Sequence, residues 1–190
     1  LIEYGLLLLK KHGITEVAVN LHHLGELIER HLGDGSRFGM KILYSREPEI
    51  LGTGGGIKQT SSFFPGEPVV VLNSDILMDV DLTDLITFHQ KKEGIATMVV
   101  RTRPNETDFT PVDVTKNGEI RRIGGKGDFM YTGAQVLEPD FIELLPAGPS
   151  CVIRQGYLPA IRSGKKVFGY RHDGPWNDLG TMERLSSFPP

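Results

Sequence analysis

The most informative segment of this 190-residue chain reads Val69-Val70-Val71-Leu72-Asn73-Ser74-Asp75, four apolar residues followed directly by three polar ones. A continuous apolar run of this length is typical of a parallel strand that is covered on both faces. In open parallel sheets, ligands bind beyond the carboxyl ends of the strands. The segment therefore predicts a buried strand whose polar end lies at a ligand-binding edge of the sheet.

The segments on either side of this run alternate between two patterns. Helices are predicted where apolar residues recur at helical spacing, and strands where short apolar runs occur. The predicted helices cover residues 1–12, 24–32 and 82–92, and the predicted strands cover residues 16–20, 41–44 and 96–100. Strands that alternate with helices of about three turns are typical of βαβ units. This part of the chain is therefore predicted to form a mainly parallel sheet.

The pattern changes after Arg103, where strands become more frequent than helices. Asn117-Gly118 predicts a tight hairpin, because this dipeptide tolerates positive φ. Further strands are predicted at residues 112–115, 120–123, 131–137 and 166–170, with a helix over residues 150–162. We therefore predict one α/β domain over residues 1–190 with an antiparallel C-terminal elaboration.

Charge and composition argue against several classes of protein. Lys and Arg number 21 against 24 Asp and Glu, a formal net charge of −3, which disfavours a nucleic-acid groove or a polybasic membrane surface. Cys151 is the single cysteine, which excludes an internal disulfide and favours a reducing, cytoplasmic location. The apolar run of residues 6–9, as long as that of residues 69–72, is too short to span a bilayer.

Asp75 is the first candidate metal ligand. It lies at the tip of the predicted strand, before any helix begins, and Mg²⁺ prefers one or two carboxylates, with phosphate oxygens and waters completing its shell. Two further aspartates follow closely. Asp81 is expected to cap the helix over residues 82–92, whereas a cap and a metal ligand both stay open for Asp79.

Asp178 could supply a second carboxylate to the same ion. It lies within Trp176-Asn177-Asp178-Leu179-Gly180-Thr181, which follows the strand predicted at residues 166–170. Thr181 and Arg184 fit an ordinary helix start. On the pattern alone, the metal role of Asp178 and a purely structural one are both open.

Two glycine-containing motifs could approach a ligand. Gly52-Thr53-Gly54-Gly55-Gly56 precedes a predicted helix, and consecutive glycines there can expose backbone N–H groups to a flat or anionic ligand. The motif lacks the residues that close a Walker loop, so the pattern alone favours a structural turn. In Tyr131-Thr132-Gly133, a glycine within a strand indicates either a bulge or a close ligand.

In their order along the chain, these motifs resemble the sugar-1-phosphate nucleotidyltransferases, also called nucleotide-sugar pyrophosphorylases. The most similar branch is the one of mannose-1-phosphate guanylyltransferase-like and N-acetylmuramate-1-phosphate uridylyltransferase-like proteins. The resemblance rests on Glu47-Pro48, Leu51-Gly52-Thr53-Gly54-Gly55, the segment from Val69 to Asp75, Thr132-Gly133 and the segment from Trp176 to Thr181. It implies a Rossmann-like, mixed, mainly parallel sheet flanked by helices, with a sugar-binding antiparallel elaboration, the nucleotide-diphospho-sugar transferase fold.

The resemblance also implies a reaction and a set of site residues. A sugar-1-phosphate would attack the α-phosphorus of a nucleoside triphosphate and release pyrophosphate, with Mg²⁺ as the cofactor. The implied roles are the metal for Asp75 and Asp178, the base for Glu47, Gly52 and Thr53, and the sugar for Thr132, Gly133 and Lys126, where Lys126 would contact the phosphate of the sugar-1-phosphate. Gly125 replaces the Glu that usually precedes this lysine, and Thr110 stands where many members have a sugar-facing Gly.

The start of the chain departs from the family pattern. The segment matching Leu1-Ile2-Glu3-Tyr4 normally follows a first strand and a Gly-rich signature loop whose Arg and Lys clamp the triphosphate. We expect that strand to be missing from between residues 17–20 and residues 69–73. Two rival functions stay open: a GT-A-type glycosyltransferase that uses Asp75 with Asp79 or Asp81, and a non-catalytic nucleotide-sugar-binding regulatory subunit. The base, the sugar and a homo-oligomeric state also stay open.

Overall fold

The fold was obtained as a computed structural model, which describes residues 1–104 and 109–188. Its regular elements alternate along the first half of the chain and become strand-rich in the second. The helices are α1 (Ile2–Lys11), α2 (Gly25–Leu32), α3 (Gly52–Thr60), α4 (Leu82–Lys92), α5 (Pro139–Glu143), α6 (Leu158–Arg162) and α7 (Met182–Ser187). The strands are β1 (Glu16–Leu21), β2 (Lys41–Arg46), β3 (Val69–Leu72), β4 (Ile76–Met78), β5 (Ala96–Thr102), β6 (Val112–Val114), β7 (Ile120–Ile123), β8 (Phe129–Leu137), β9 (Val167–Arg171) and β10 (Trp176–Asp178).

The main sheet is built around β8 and β5. β8 pairs antiparallel with β3 and with β5, and β5 pairs parallel with β9. β3, β5 and β9 therefore share one direction, and β8 runs against them. The hairpin of β6 and β7 extends this sheet through a pair between β6 and β8. The α/β prediction, with a mixed sheet and an antiparallel C-terminal part, is confirmed.

Side chains from the two faces of this sheet enter two separate apolar clusters. In β5, Met98 and Val100 contribute to one cluster and Val99 to the other, as the two-residue repeat of a strand requires. The first cluster also holds residues of α5 and α6, and the second holds residues of α1, α2 and α4. The sheet is therefore covered by helices on both faces, as an α/β domain requires.

β3 differs from its prediction as a fully covered parallel strand. All four of its residues are only half-buried, and its one strand partner in the described part of the chain, β8, is antiparallel. Within residues 1–104 and 109–188, β1 likewise pairs with β2 alone. The free edges of β1 and β3 line one cleft of about 330 Å³, with Leu9, Ile57 and Ile86 among its apolar lining residues. β3 is half-buried because this edge has no neighbouring strand among the described residues.

Two elements at the site were not predicted. β4 and β10 form a short antiparallel ribbon in which Trp176 pairs with Met78 and Asp178 with Ile76. Each strand has three residues, too few to give a periodic signal in the sequence. The ribbon brings the segment after β3 against the segment after β9.

Two boundaries also differ from their predictions. The Gly-rich segment, expected as a loop ahead of a helix, lies inside α3 itself. The helix expected over residues 150–162 begins as a π-helical turn, Val152–Tyr157, and continues as α6. The Gly-rich part of α3 packs tightly against a neighbouring loop, because a Cβ at Gly55 would collide with the Gly148 carbonyl.

Candidate functional site

The carboxylates of Asp75 and Asp178 meet beside Gly180. A Cβ placed on Gly180 would lie 2.6 Å from Oδ2 of Asp75 and 3.2 Å from Oδ1 of Asp178, so both groups border the same point. The ribbon of β4 and β10 sets this geometry, and the backbone N–H of Leu179 donates to the Asp75 carbonyl at 2.9 Å. The lack of a side chain at Gly180 leaves the space between the carboxylates open.

The two carboxylates differ in their partners. Oδ1 of Asp178 accepts a hydrogen bond from the Gly180 N–H at 3.0 Å, and its Oδ2 pairs with Nη1 of Arg184 at 2.5 Å. The Asp75 carboxylate accepts no hydrogen bond from a described residue. Thr181 caps α7, accepting from the Arg184 N–H at 3.2 Å, so the helix start predicted from the sequence is confirmed.

Asp79 and Asp81 lie apart from this pair and have their own partners. Asp79 follows β4, at the opposite end of that strand from Asp75, and its Oδ1 lies 3.1 Å from Nε2 of His172. Asp81 caps α4 by accepting from the Asp84 N–H at 2.9 Å, as predicted, and this bond lowers the pKa of Asp81. Within residues 1–104 and 109–188, neither aspartate joins Asp75 and Asp178 in a group of three that could hold a metal.

Glu47 is buried, and its carboxylate is used inside the chain. Oε1 accepts from the Asn20 amide at 2.8 Å, and Oε2 accepts from the Leu51 N–H at 3.0 Å. The Glu47 carbonyl lies 2.8 Å from Nδ1 of His22. In this structure Glu47 therefore ties the ends of β1 and β2 to the start of α3, and both carboxylate oxygens are already occupied.

The glycines of α3 allow close contact with the loop before the π-helical turn. The Gly54 N–H donates to the Ser150 carbonyl at 2.8 Å, and a Cβ on Gly52 would lie 2.8 Å from the same oxygen. Gly52 also has φ +65°, which favours glycine. Gly54 is buried, whereas Gly52 and Thr53 are exposed, so these two remain accessible to a ligand.

Thr132 and Gly133 form a bulge in β8. The β5 register shifts here, and Gly133 has φ +96°. A Cβ on Gly133 would lie 2.8 Å from Ile76 Cγ1 and 3.3 Å from Asn73, so the close approach is made by the chain itself. Thr132 is buried, and its hydroxyl donates to the Val99 carbonyl at 2.9 Å. The bulge reading of this motif is therefore the one that the structure supports.

A cleft of about 400 Å³ opens beside the bulge. Its lining includes Tyr4 of α1, Asn73, Gly133 and Asn177. In the sequence, Asn73 comes two residues before Asp75, and Asn177 comes directly before Asp178. The cleft therefore connects the bulge in β8 with the ribbon that carries the acidic pair.

A family model described as "Nucleotidyl transferase" matches residues 1–188. This chain is a nucleotidyl transferase family member. It is 33% identical to a UTP–glucose-1-phosphate uridylyltransferase of Synechocystis sp. over 95% of this chain and 52% of the relative. It is also 33% identical to an N-acetylmuramate alpha-1-phosphate uridylyltransferase of Neisseria meningitidis over 97% of this chain and 81% of that one. The family predicted from the motifs is confirmed.

Solved structures show the same fold at lower identity. The structure of HddC from Yersinia pseudotuberculosis superposes with a TM-score of 0.80 at 19% identity, covering 97% of this chain and 82% of that one.

The nucleotidyl transferase chain spans about half the length of the Synechocystis relative. None of the helices in residues 1–104 and 109–188 has the length and apolar content that a membrane span requires.

The acidic pair fits a magnesium ion better than a metal bound entirely by protein. Among the described residues, no group of three or more His, Cys, Asp or Glu side chains could hold a metal. Mg²⁺ uses one or two carboxylates and takes its other ligands from water and phosphate. Two converging carboxylates, with no side chain at Gly180 between them, are therefore a suitable donor set.

Lys126 and Thr110 lie on exposed loops of the nucleotidyl transferase fold. Lys126 is in the turn between β7 and β8, and its side chain forms no ion pair with a described residue. Thr110 is exposed and comes shortly after residues 105–108, which lie outside the described part. Both side chains are open to solvent and neither is built into a pocket.

Two residues of the site were not assigned a role from the sequence. Asn20 holds Glu47, and Arg184 holds Asp178. Asn20 lies near the end of β1, directly after the apolar run of residues 17–19, so the rule that selected Asn73 and Asp75 could have found it. Arg184 has no comparable signal, because only the fold shows that its side chain reaches back to Asp178.

Proposed function

We propose that this chain is the catalytic domain of a nucleotidyltransferase that condenses a nucleoside triphosphate with a sugar-1-phosphate, giving a nucleotide-sugar and pyrophosphate. The observation that carries the proposal is the convergence of the Asp75 and Asp178 carboxylates beside Gly180. The curated relatives, named as sugar-1-phosphate uridylyltransferases and guanylyltransferases, support the same reaction class.

In the proposed reaction, an oxygen of the sugar phosphate forms a bond to the α-phosphorus, and pyrophosphate leaves with the electrons of the broken P–O bond. The attacking oxygen is already ionised at neutral pH, so the chain needs to supply alignment rather than a general base. Asp75 and Asp178 would hold Mg²⁺, which neutralises phosphate charge and aligns the substrates when bound.

The remaining site residues divide between contact and support. Gly52 and Thr53 are exposed at the start of α3 and would face the base. Glu47 would hold the start of α3 in place, because its carboxylate accepts the Leu51 N–H. Gly133 borders the cleft and would lie against the sugar. Thr132 is buried and would act by holding the bulge. Lys126 would reach the sugar phosphate from its exposed turn.

We also propose that a further strand and a phosphate-binding signature loop complete this domain. The support is the cleft of about 330 Å³ that the unpaired edges of β1 and β3 both line. An inserted strand would pair with both edges and cover β3. In a polypeptide that includes such a strand, the amides of β1 and β3 should exchange hydrogen more slowly than in residues 1–190 alone. Equal exchange would contradict the proposed insertion.

The acidic residues also favour this reaction over a glycosyltransferase. The rival function would use Asp75 with Asp79 or Asp81, and these two are engaged by His172 and by the start of α4 instead. We also propose a cytoplasmic location. The proposed substrates, a nucleoside triphosphate and a sugar-1-phosphate, are of a kind found in the cytoplasm, and a chain with a single cysteine suits that reducing compartment.

The test is pyrophosphate release by the whole natural polypeptide across a panel of triphosphates and sugar-1-phosphates with Mg²⁺. Asp75→Asn should abolish Mg²⁺-dependent release, because it removes one of two anionic ligands. Asp140→Asn, an exposed position on α5, is the matched control. Near-normal release by Asp75→Asn would remove the metal assignment. Turnover of a nucleotide-sugar with an acceptor, or binding without any turnover, would instead favour the glycosyltransferase or the regulatory subunit.

A further inference from the structure

Arg184 occupies the carboxylate that the proposed function assigns to the metal. Its Nη1 lies 2.5 Å from Oδ2 of Asp178, and the Asp178 side chain is 20% exposed against 47% for Arg184. The other oxygen, Oδ1, accepts the Gly180 N–H. Each oxygen of Asp178 therefore has a partner within the chain, whereas Asp75 accepts no hydrogen bond from a described residue.

An electrostatic reason explains this pairing. Two carboxylates that border one point repel each other when no cation lies between them. The guanidinium of Arg184 offsets part of that repulsion, and α7 fixes its position because Thr181 caps the helix at the Arg184 N–H. The chain thus carries its own positive charge at the place where a divalent ion would bind.

Besides its ion pair with Asp178, the Arg184 side chain contacts an aromatic ring. Its guanidinium carbon lies 6.0 Å from the centre of the Phe109 ring, and Phe109 stacks edge-on against Trp176 at 5.7 Å. The indole N–H of Trp176 donates to the Thr132 carbonyl at 2.8 Å and anchors this aromatic pair to β8. An arginine side chain is attracted to an aromatic face, so Arg184 can leave Asp178 and stay at the rim of the site.

We propose that Arg184 is a positioning residue that holds Asp178 while the metal is absent and competes with the metal for that carboxylate. The inference rests on the proposed function, because it takes Asp75 and Asp178 as the metal ligands. Arg184 would then lower the affinity of the site for a divalent cation in two ways. It occupies Oδ2 of Asp178, and its positive charge repels the cation.

The test measures binding of Mn²⁺ alone to the whole natural polypeptide, by the electron paramagnetic resonance signal of the free ion. Arg184→Ala should bind Mn²⁺ about two- to fivefold more tightly than the parent, as expected from the loss of one exposed ion pair. The difference should shrink as salt is added, because screening weakens the competing charge. Equal or weaker binding by Arg184→Ala would overturn the inference.

Four further variants make the result specific. Arg184→Lys keeps the charge and should bind Mn²⁺ nearly as the parent does, and Arg184→Gln replaces the alanine variant if that one does not fold. Arg171→Ala is the control. It breaks the ion pair between Arg171 and Asp173, which involves neither Asp75 nor Asp178, and it should leave Mn²⁺ affinity unchanged. Asp178→Asn tests the metal assignment itself. If it leaves Mn²⁺ affinity unchanged, the proposed function loses its metal site, whereas a loss in Asp178→Asn with no gain in Arg184→Ala rejects the role of Arg184 alone.

Discussion

Nδ2 of Asn20 donates a hydrogen bond of 2.8 Å to Oε1 of Glu47. Asn20 lies in β1, and Glu47 directly follows β2, the strand that pairs with β1. The second carboxylate oxygen accepts the Leu51 N–H. Glu47→Gln would leave one of these donors without an acceptor, since an amide has a single oxygen. We expect the free energy of unfolding in urea to fall by about 1–3 kcal/mol, the cost of one unpaired buried polar group.

Glu49→Gln is the control for this prediction, because Glu49 is exposed and near in sequence. It should leave the free energy of unfolding within about 0.5 kcal/mol of the parent. If both variants unfold at the same urea concentration as the parent, the Glu47 carboxylate does not support the start of α3. Its free oxygens would then be available to a nucleotide base.

Gly133 and Gly164 separate backbone strain from close packing. Both have positive φ, +96° and +72°, but a Cβ meets atoms of Ile76 and Asn73 only at Gly133, and nothing lies within 4 Å at Gly164. Gly164→Ala should cost about 1–2 kcal/mol of unfolding free energy for the left-handed backbone alone. Gly133→Ala should cost a further 1–3 kcal/mol, roughly, because the added methyl overpacks the bulge. Equal costs would mean that Ile76 and Asn73 can move away from the bulge.

Gly180→Ala tests the space between the two carboxylates. The new methyl would lie within contact of Asp75 and Asp178, and Gly180 is exposed with no positive φ. The thermal midpoint should therefore change little, while Mg²⁺-dependent turnover should fall by about tenfold to a hundredfold, as ligand misplacement on the ångström scale does. Unchanged turnover in a folded Gly180→Ala variant would show that nothing binds between these groups.

Asp173 makes part of the stability depend on pH. The Thr102 N–H donates to its Oδ1 at 2.9 Å and, with help from Arg171, lowers the pKa of Asp173 from the ordinary 3.8. A group with a lowered pKa in the folded state stabilises it above the unfolded value and loses this effect as the pH falls. Asp173→Asn should therefore reduce the free energy of unfolding at pH 7, by less than about 1 kcal/mol for so exposed a pair.

The same variant should match the parent at low pH. The difference in urea stability between Asp173→Asn and the parent should disappear as the pH falls through 3.8 and below. Asp140→Asn, on the exposed face of α5, should show no such trend. A difference that persists unchanged at acid pH would mean that the hydrogen bond, and not the charge, supplies the stabilisation.

Local patterns predicted the elements that have strong periodicity. The helix over residues 82–92 is α4 with the same bounds, and Asn117-Gly118 lies between β6 and β7 as a hairpin turn. These predictions succeeded because capping by Asp81 and the positive φ of Gly118 act over a few residues. The burial of β3 was predicted wrongly, because an apolar run does not tell which strands flank it.

What the sequence by itself determined is the order of helices and strands, the polar residues that end them and the family to which their motifs belong. Only the tertiary structure decided which of those residues meet. The three-residue strands of one ribbon join Asp75 to Asp178, turn Arg184 onto the same carboxylate and leave Asp79 with His172. Such pairs form between distant parts of the chain, where packing and backbone hydrogen bonds select the partners and local preference has no influence.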